Sequence, residues 1–231
     1  MMLLAIETAS PDVSVALHDG TRVIASQSLS IGSRHAEALL PAISHLLDQC
    51  GQSLSGLTHL AVDRGPGLFT GLRVGLATAR ALAFSLDIPL VGVSSLEAIA
   101  VDGARDGETV IAALDARRKE VYAAAYSVND GVLWQLVAPF VASPADASVR
   151  LASAQLDSAV LVGDGVGAGD GVLHSLGRVG ATRRPGAAAV ASLASGDLGR
   201  GHAMVDPFEL FYLRAPDAEI TWNNRHGPAP R

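Results

Sequence analysis

The stretch GPGLFTGLRVGLATARALAFS, residues 65–85, decides the reading of this chain. A loop punctuated by Gly65, Pro66 and Gly67 runs into a helix-forming segment with almost no polar side. Between Leu72 and Phe84 only Arg73, Thr78 and Arg80 interrupt the apolar and small residues. A helix on a sheet at a protein surface needs one apolar stripe, not an apolar circumference. The pattern therefore predicts a second covering surface, and so a partner. Pro66 fixes one dihedral, and its flanking glycines allow backbone geometry that other residues resist. Such a loop either binds an anion through free amides at the helix start or only aims the helix. Phe69, Thr70 and Gly71 complete the motif, with Thr70 expected to cap a helix beginning near Gly71.

Working outward, residues 3–8, 13–17 and 22–29 read as strands, the last two joined at Asp19-Gly20, a hairpin signal. Ser33 then opens a helix through about Cys50, with Ala36, Leu39, Leu40, Ile43, Leu46 and Leu47 at helical spacing. Pro41 inside that pattern should kink it or remove one hydrogen bond. Residues 57–62 and 89–93 are further strands, and Ser95 is expected to cap a short helix to Ala100. This order fits an α/β layer with an antiparallel hairpin edge and a parallel remainder.

The polar segment DGARDGE, residues 102–108, marks a boundary. A second set follows: strands over 109–115, 120–128 and 134–141, an N-cap at Ser143 with Pro144 at the first helical position, a strand over 159–162 and a small-residue helix over 186–194. The two halves look alike at coarse scale, which suggests a duplicated fold. The polar, proline-containing residues 223–231 read as a flexible tail.

The 231 residues are 49% hydrophobic and 17% charged, enough to bury a sizeable core. A net charge of −6 argues against a free-standing nucleic-acid binder. The basic clusters are Arg117, Arg118 and Lys119, and the pair Arg183 and Arg184. A single cysteine, Cys50, excludes an internal disulfide framework and reads as a buried, inert thiol. The start, MMLLAIE, lacks a basic leader, and no uncharged apolar run reaches membrane-spanning length. A soluble, cytoplasmic protein is expected.

Several kinds of chemistry lack their motif. There is no G-x-x-x-x-G-K-[ST], no H-E-x-x-H and no G-x-S-x-G, and no two of the seven histidines stand at i and i+4. The run GDGVGAGDG, residues 163–171, fails the dinucleotide spacing and reads as a tight turn after a strand. Glu7, Thr8 and Ser10 at the end of the first strand either approach a phosphate and metal or simply make a turn. Asp115 with Arg117 reads as a salt-bridged turn rather than a general acid. No metal site and no catalytic set emerges.

With these residues in view, the chain resembles the bacterial TsaB (YeaZ) family. The central motif GPGLFTGLRVGLATARALA carries most of the likeness. LLAIETA, SVAL, SRHAEALLPAI, VSSLEAIA, DARRKEVYAAAY, VGDG and FYLRAPDAE extend it along nearly the whole chain, in the family's order. The resemblance implies an α/β fold of the actin-like (ASKHA, ribonuclease H-like) type, with two related βα lobes, the second shortened. Residues 1–102 would form the N-terminal lobe carrying the dimerisation helices, and residues 103–222 the smaller C-terminal lobe. It implies a non-catalytic scaffold of the complex that makes N6-threonylcarbamoyladenosine (t6A) at position 37 of tRNAs. The partners implied are the catalytic TsaD, bound as a heterodimer through the N-lobe helices, and the TsaE ATPase. Alone, such a chain would form a homodimer. It would reach tRNA only through the complex and bind no cofactor tightly, with ATP or ADP and metal on partner subunits. Two departures stand out: Leu68 replaces the family's usual Ser, and Glu7-Thr8-Ala9 replaces Asp-Thr-Ser. Both weaken any use of this lobe for phosphate or metal.

The helical repeat then selects the interface. Arg73, Ala77, Arg80, Ala81 and Phe84 share one side, and arginines are poor candidates to face a sheet. Leu72, Gly75, Leu76, Ala79 and Leu82 should pack inward. On the preceding helix His35, Ala38, Ala42 and His45 are expected outside, with small residues allowing close helix approach. The alternative function is a stand-alone ATP-dependent kinase or acyltransferase of the actin-like kind. A metal-dependent peptidase is a more distant one.

Overall fold

A computed structural model describes residues 1–32, 34–156, 158–182, 184–200, 210, 211 and 213. The expected tail, 223–231, and the expected helix opener, Ser33, lie outside the described residues.

The first five strands are β1 (Leu3–Glu7), β2 (Asp12–His18), β3 (Val23–Ser30), β4 (His59–Asp63) and β5 (Leu90–Val93). They form one sheet in the order β3-β2-β1-β4-β5. β1 runs antiparallel to β2 and parallel to β4, and β4 runs parallel to β5. The second sheet holds β6 (Thr109–Arg117), β7 (Glu120–Asn129), β8 (Val132–Ala142), β9 (Ala159–Val162) and β10 (Gly177–Val179). Read from β8 to β10, it repeats the first arrangement, with β6 antiparallel to β7 and parallel to β9. Two copies of one strand order with the same senses are the actin-like, two-lobed α/β fold that the sequence led us to expect.

Helices α1 (His35–Gln49) and α2 (Phe69–Leu86) cover one face of the first sheet. There Leu39, Ile43, Leu46 and Leu76 pack on Leu4, Ile6, Val15 and Leu60. Helix α3 (Ser95–Gly103) places Leu96 and Ile99 on the second sheet, against Val110, Ala112 and Tyr126. Helix α4 (Pro144–Ala152) covers that sheet's far side through Ala147 and Leu151. A single turn, α5 (Ala168–Gly171), precedes β10. Helix α6 (Ala187–Gly199) returns to the first lobe, where Ala187, Val190, Ala191 and Ala194 pack on Leu3, Ala5, Ala16 and Ala61. The span 103–222 was expected to be one second lobe, but α6 lies on the first sheet. Its small side chains let it sit close to the Ala5, Ala16 and Ala61 surface, and Arg184 pairs with Asp12 at 2.9 Å just before it starts. Layers thus run α1/α2, first sheet, α6 and α3, second sheet, α4.

Helix ends depart from the sequence reading by a residue or two. α2 begins at Phe69, with extended Leu68 at the cap position and no side-chain cap, so Thr70 lies inside the helix. Ser94, not Ser95, caps α3, in a capping box with Glu97. That frees Ser95 to donate to Asp63. Ser143 caps α4 with Pro144 behind it, as expected. α1 continues through Pro41, which is exposed. Cys50 is half-buried against the first core rather than enclosed.

Candidate functional site

The outer face of α2 is where the sequence placed it. Arg73, Ala77, Arg80, Ala81 and Phe84 are all exposed, and Phe84 is 91% exposed. The opposite stripe, Gly71, Leu72, Gly75, Leu76 and Ala79, is buried on the sheet, while Leu82 is half-buried. The Arg73 guanidinium sits over the Phe69 ring, 3.8 Å from its centroid, a cation–π contact that holds the charge at the surface. Large apolar side chains this exposed are costly in water unless another surface covers them.

On α1 the expected outer set is corrected. His45 is exposed and Ala38 half-buried, but His35 and Ala42 are buried. Ala42 stands three residues after Leu39 and four before Leu46, which puts it on the buried stripe. His35 turns inward because its Nε2 meets the Ser10 carbonyl at 2.8 Å. Besides His45, the outward residues include Ala36, Leu40, Pro41 and Ser44, with Leu40 56% exposed. Leu40 was counted with the core pattern in the sequence, although it stands one residue off the Leu39–Ile43–Leu46 stripe.

The loop before α2 is held by protein groups. Asp63 Oδ1 accepts from the Gly65 amide at 2.8 Å, and the Leu68 amide donates to Ala9 O at 2.7 Å. The Gly65 carbonyl accepts from Ser95 N, and the Arg64 carbonyl accepts from Phe211 N. Gly65 and Pro66 are buried, Gly67 is half-buried, and Phe69 and Thr70 are exposed. Gly67, Gly71 and Gly75 press so closely on Ala9 and Thr8 that a Cβ at any of them would collide. Thr8 Oγ1 donates to the Gly71 carbonyl at 2.9 Å. The turn after β1 is therefore filled from above by α2, and Glu7, Thr8, Ala9 and Ser10 are all buried.

Beneath this turn two carboxylates lie side by side. β1 and β4 pair in parallel with Ile6 opposite Val62, so Glu7 and Asp63 occupy the next position on adjacent strands. Both are fully buried. Glu7 accepts from the Ser10 amide at 3.0 Å, the Ser10 hydroxyl at 3.3 Å and the Ser14 hydroxyl at 3.0 Å. The Ala187 amide donates in turn to Ser14 Oγ, which ties the start of α6 to the same network. Asp63 Oδ1 accepts from Gly65 N and from the Ser95 hydroxyl at 2.6 Å, while Oδ2 has no hydrogen-bond partner among the described residues. Burial, with the Asp63 charge second, pushes Glu7 up to about 8. Burial also pushes Asp63 up to about 7, against the pull of its Ser95 and Gly65 donors.

In the second lobe Asp115 pairs with Arg117 at 3.2 Å, and its amide donates to Asp164, a braced turn. Among the described residues no three His, Cys, Asp or Glu side chains gather as a metal site. No helix there is long and apolar enough to cross a membrane.

A family model described as TsaD, tRNA N6-adenosine threonylcarbamoyltransferase, matches residues 24–164. The tRNA threonylcarbamoyladenosine biosynthesis protein TsaB of Bacillus subtilis is 37% identical over 59% of this chain. Its Escherichia coli namesake is 40% identical over 58%. The chain spans 60% and 58% of the lengths of these two relatives. Among solved structures, a Pseudomonas aeruginosa protein described as similar to the peptidase YeaZ superposes with a TM-score of 0.82. It is 33% identical, and the match covers 92% of this chain and 99% of that one. YeaZ from Pseudomonas aeruginosa gives 0.78 at 32% identity, covering 91% and 99%.

Proposed function

Because the chain belongs to the TsaB (YeaZ) family, we propose that it is a non-catalytic scaffold in making N6-threonylcarbamoyladenosine in tRNA. In this reading it binds and activates the catalytic subunit TsaD, with TsaE as a further component, and works in the cytoplasm. The observation that carries the proposal is the α2 outer face. A regular 18-residue helix holds Phe84 almost wholly in solvent beside Ala77 and Ala81, small enough for a partner helix to approach. The β1 turn, packed closely against Gly67, Gly71 and Gly75, supports the same reading. Nucleotide and metal are then assigned to the partner subunits.

Ala77→Glu tests the face. Ala77 is exposed, so the variant is expected to keep the wild-type melting temperature. Burying an unpaired carboxylate in an interface costs about 3 kcal/mol or more. Affinity for TsaD, measured by calorimetry, should drop at least tenfold, and t6A formation by the reconstituted proteins should fall with it. Wild-type affinity and wild-type t6A yield in that variant would sink the assignment. The isolated chain titrated with ATP and magnesium is expected to give no binding heat. A saturable signal there would revive the kinase or acyltransferase alternative.

A further inference from the structure

Resting on that scaffold reading, we infer that Arg64 and Phe211 are positioning residues for the α2 face. Together they tie the loop at residues 65–68 to the second lobe, so that α2 meets its partner in one orientation. The observations begin at Gly65, which is buried with φ at +104°. A Cβ there would lie 3.0 Å from Leu72 Cδ1, in the first turn of α2, and 3.4 Å from the Phe211 carbonyl oxygen. The backbone of Phe211 and the first turn of α2 thus meet across this one glycine.

Phe211 is fastened there twice. Its amide donates to the Arg64 carbonyl at 2.8 Å, and its ring centroid lies 5.3 Å from the Arg64 guanidinium carbon, within cation–π range. The Arg64 amide donates to the Val93 carbonyl at 2.9 Å, which fixes Arg64 to the end of β5. Residues near Phe211 anchor it in both lobes. Leu210 packs on the first-lobe core that holds Leu60 and Leu76. Leu213 packs on the cluster of Leu96, Ile99, Val110 and Tyr126, between α3 and the second sheet. A second tie runs the same way: Ser95, which opens α3, donates its amide to the Gly65 carbonyl at 2.9 Å. A loop this irregular directs the helix only while its surroundings hold it. A loosened loop must be ordered when the partner binds, which lowers affinity. Arg64 and Phe211 are half-buried and lie outside the Arg73–Ala77–Phe84 face, so they act through the loop and not by touching the partner.

The test is Phe211→Ala in the full chain, read by calorimetry with TsaD and by amide hydrogen exchange without it. Affinity for TsaD is expected to fall about tenfold. Exchange protection should fall about tenfold at the Leu68, Leu72 and Ser95 amides and distinctly less in β1. Phe211→Tyr, which keeps the ring over Arg64, should restore both readings. Arg64→Lys keeps the backbone contacts and should show the same pattern at about threefold, which decides the matter if Phe211→Ala does not fold. Equal loss of protection in the loop and in β1 overturns the inference, because the contact then only stabilises the whole fold. If Ala77→Glu abolishes TsaD binding while Phe211→Ala and Arg64→Lys bind as wild type, the scaffold reading stands and this inference fails. Wild-type binding by Ala77→Glu overturns the scaffold reading itself.

Discussion

Unfolding free energy is expected to fall as pH rises from 5 to 8, opposite to the usual behaviour of paired surface carboxylates. Glu7 and Asp63 are pushed up to about 8 and about 7 by burial beneath the β1 turn. In the unfolded chain both return to the ordinary carboxylate range, near 4. Between those values the folded chain holds protons that the unfolded chain has released. Stability therefore drops with pH across that window and levels off above it. One linked proton gives a slope of at most about 1.4 kcal/mol per pH unit. The adjacent strand positions explain why a proton stays. Two carboxylates this close and this buried do not both ionise without a cation between them. Asp63, at the lower value, ionises first, and its charge is one of the causes that keep the proton on Glu7.

The variant that isolates this effect is Asp63→Asn. It keeps an oxygen for the Gly65 amide and the Ser95 hydroxyl, and it removes the charge that raises Glu7. Denaturant melts at pH 5, 6, 7 and 8 should show a flatter profile than wild type, with a clear gain at pH 8. A wild-type profile that rises with pH, or one that Asp63→Asn leaves unchanged, would show that the pair does not store a proton.

The parts of the fold legible in the sequence are those with local causes. The outward face of α2 could be read because an apolar helix with arginines on one side has only one way to turn. The coarse likeness of the two halves followed from strand lengths, turn residues and the polar break at 102–108, while the strand order and the three-residue β10 did not. What could not be read depends on tertiary pairing. Glu7 and Asp63 are 56 positions apart and meet only through the parallel register of β1 and β4. His35 looks polar and outward until the Ser10 carbonyl, 25 residues away, claims it. The return of α6 to the first sheet was hidden for a different reason. AAAVASLASGDLG has small residues on every side and so no amphipathic direction to read.

Gly75→Ala is expected to destabilise the fold by about 3 kcal/mol, more than a hundredfold in the folding equilibrium, although alanine is the better helix former. Helix propensity alone would favour the substitution by about 1 kcal/mol. The opposing term is steric. A Cβ at Gly75 collides with Thr8 Oγ1, and the next nearest atoms are the rest of the same side chain. Thr8 is fully buried and its hydroxyl is committed to the Gly71 carbonyl, so it has no free rotamer to take. Overpacking of this kind costs about 1–3 kcal/mol and occasionally more. Because the colliding group is one side chain, a second substitution should relieve it. Thr8→Ala alone should cost about 1 kcal/mol for the lost hydrogen bond. Combined with Gly75→Ala, it should recover about 1–2 kcal/mol relative to Gly75→Ala, a favourable coupling between the two sites. Gly71 provides the control, since its Cβ would strike the Thr8 backbone carbonyl. Gly71→Ala should be at least as damaging, and Thr8→Ala should not rescue it. Additive effects at Thr8 and Gly75, or rescue at both glycines alike, would mean that α2 is not seated on the β1 turn as described. The loop that opens the motif would then not be what aims the Arg73–Phe84 face outward.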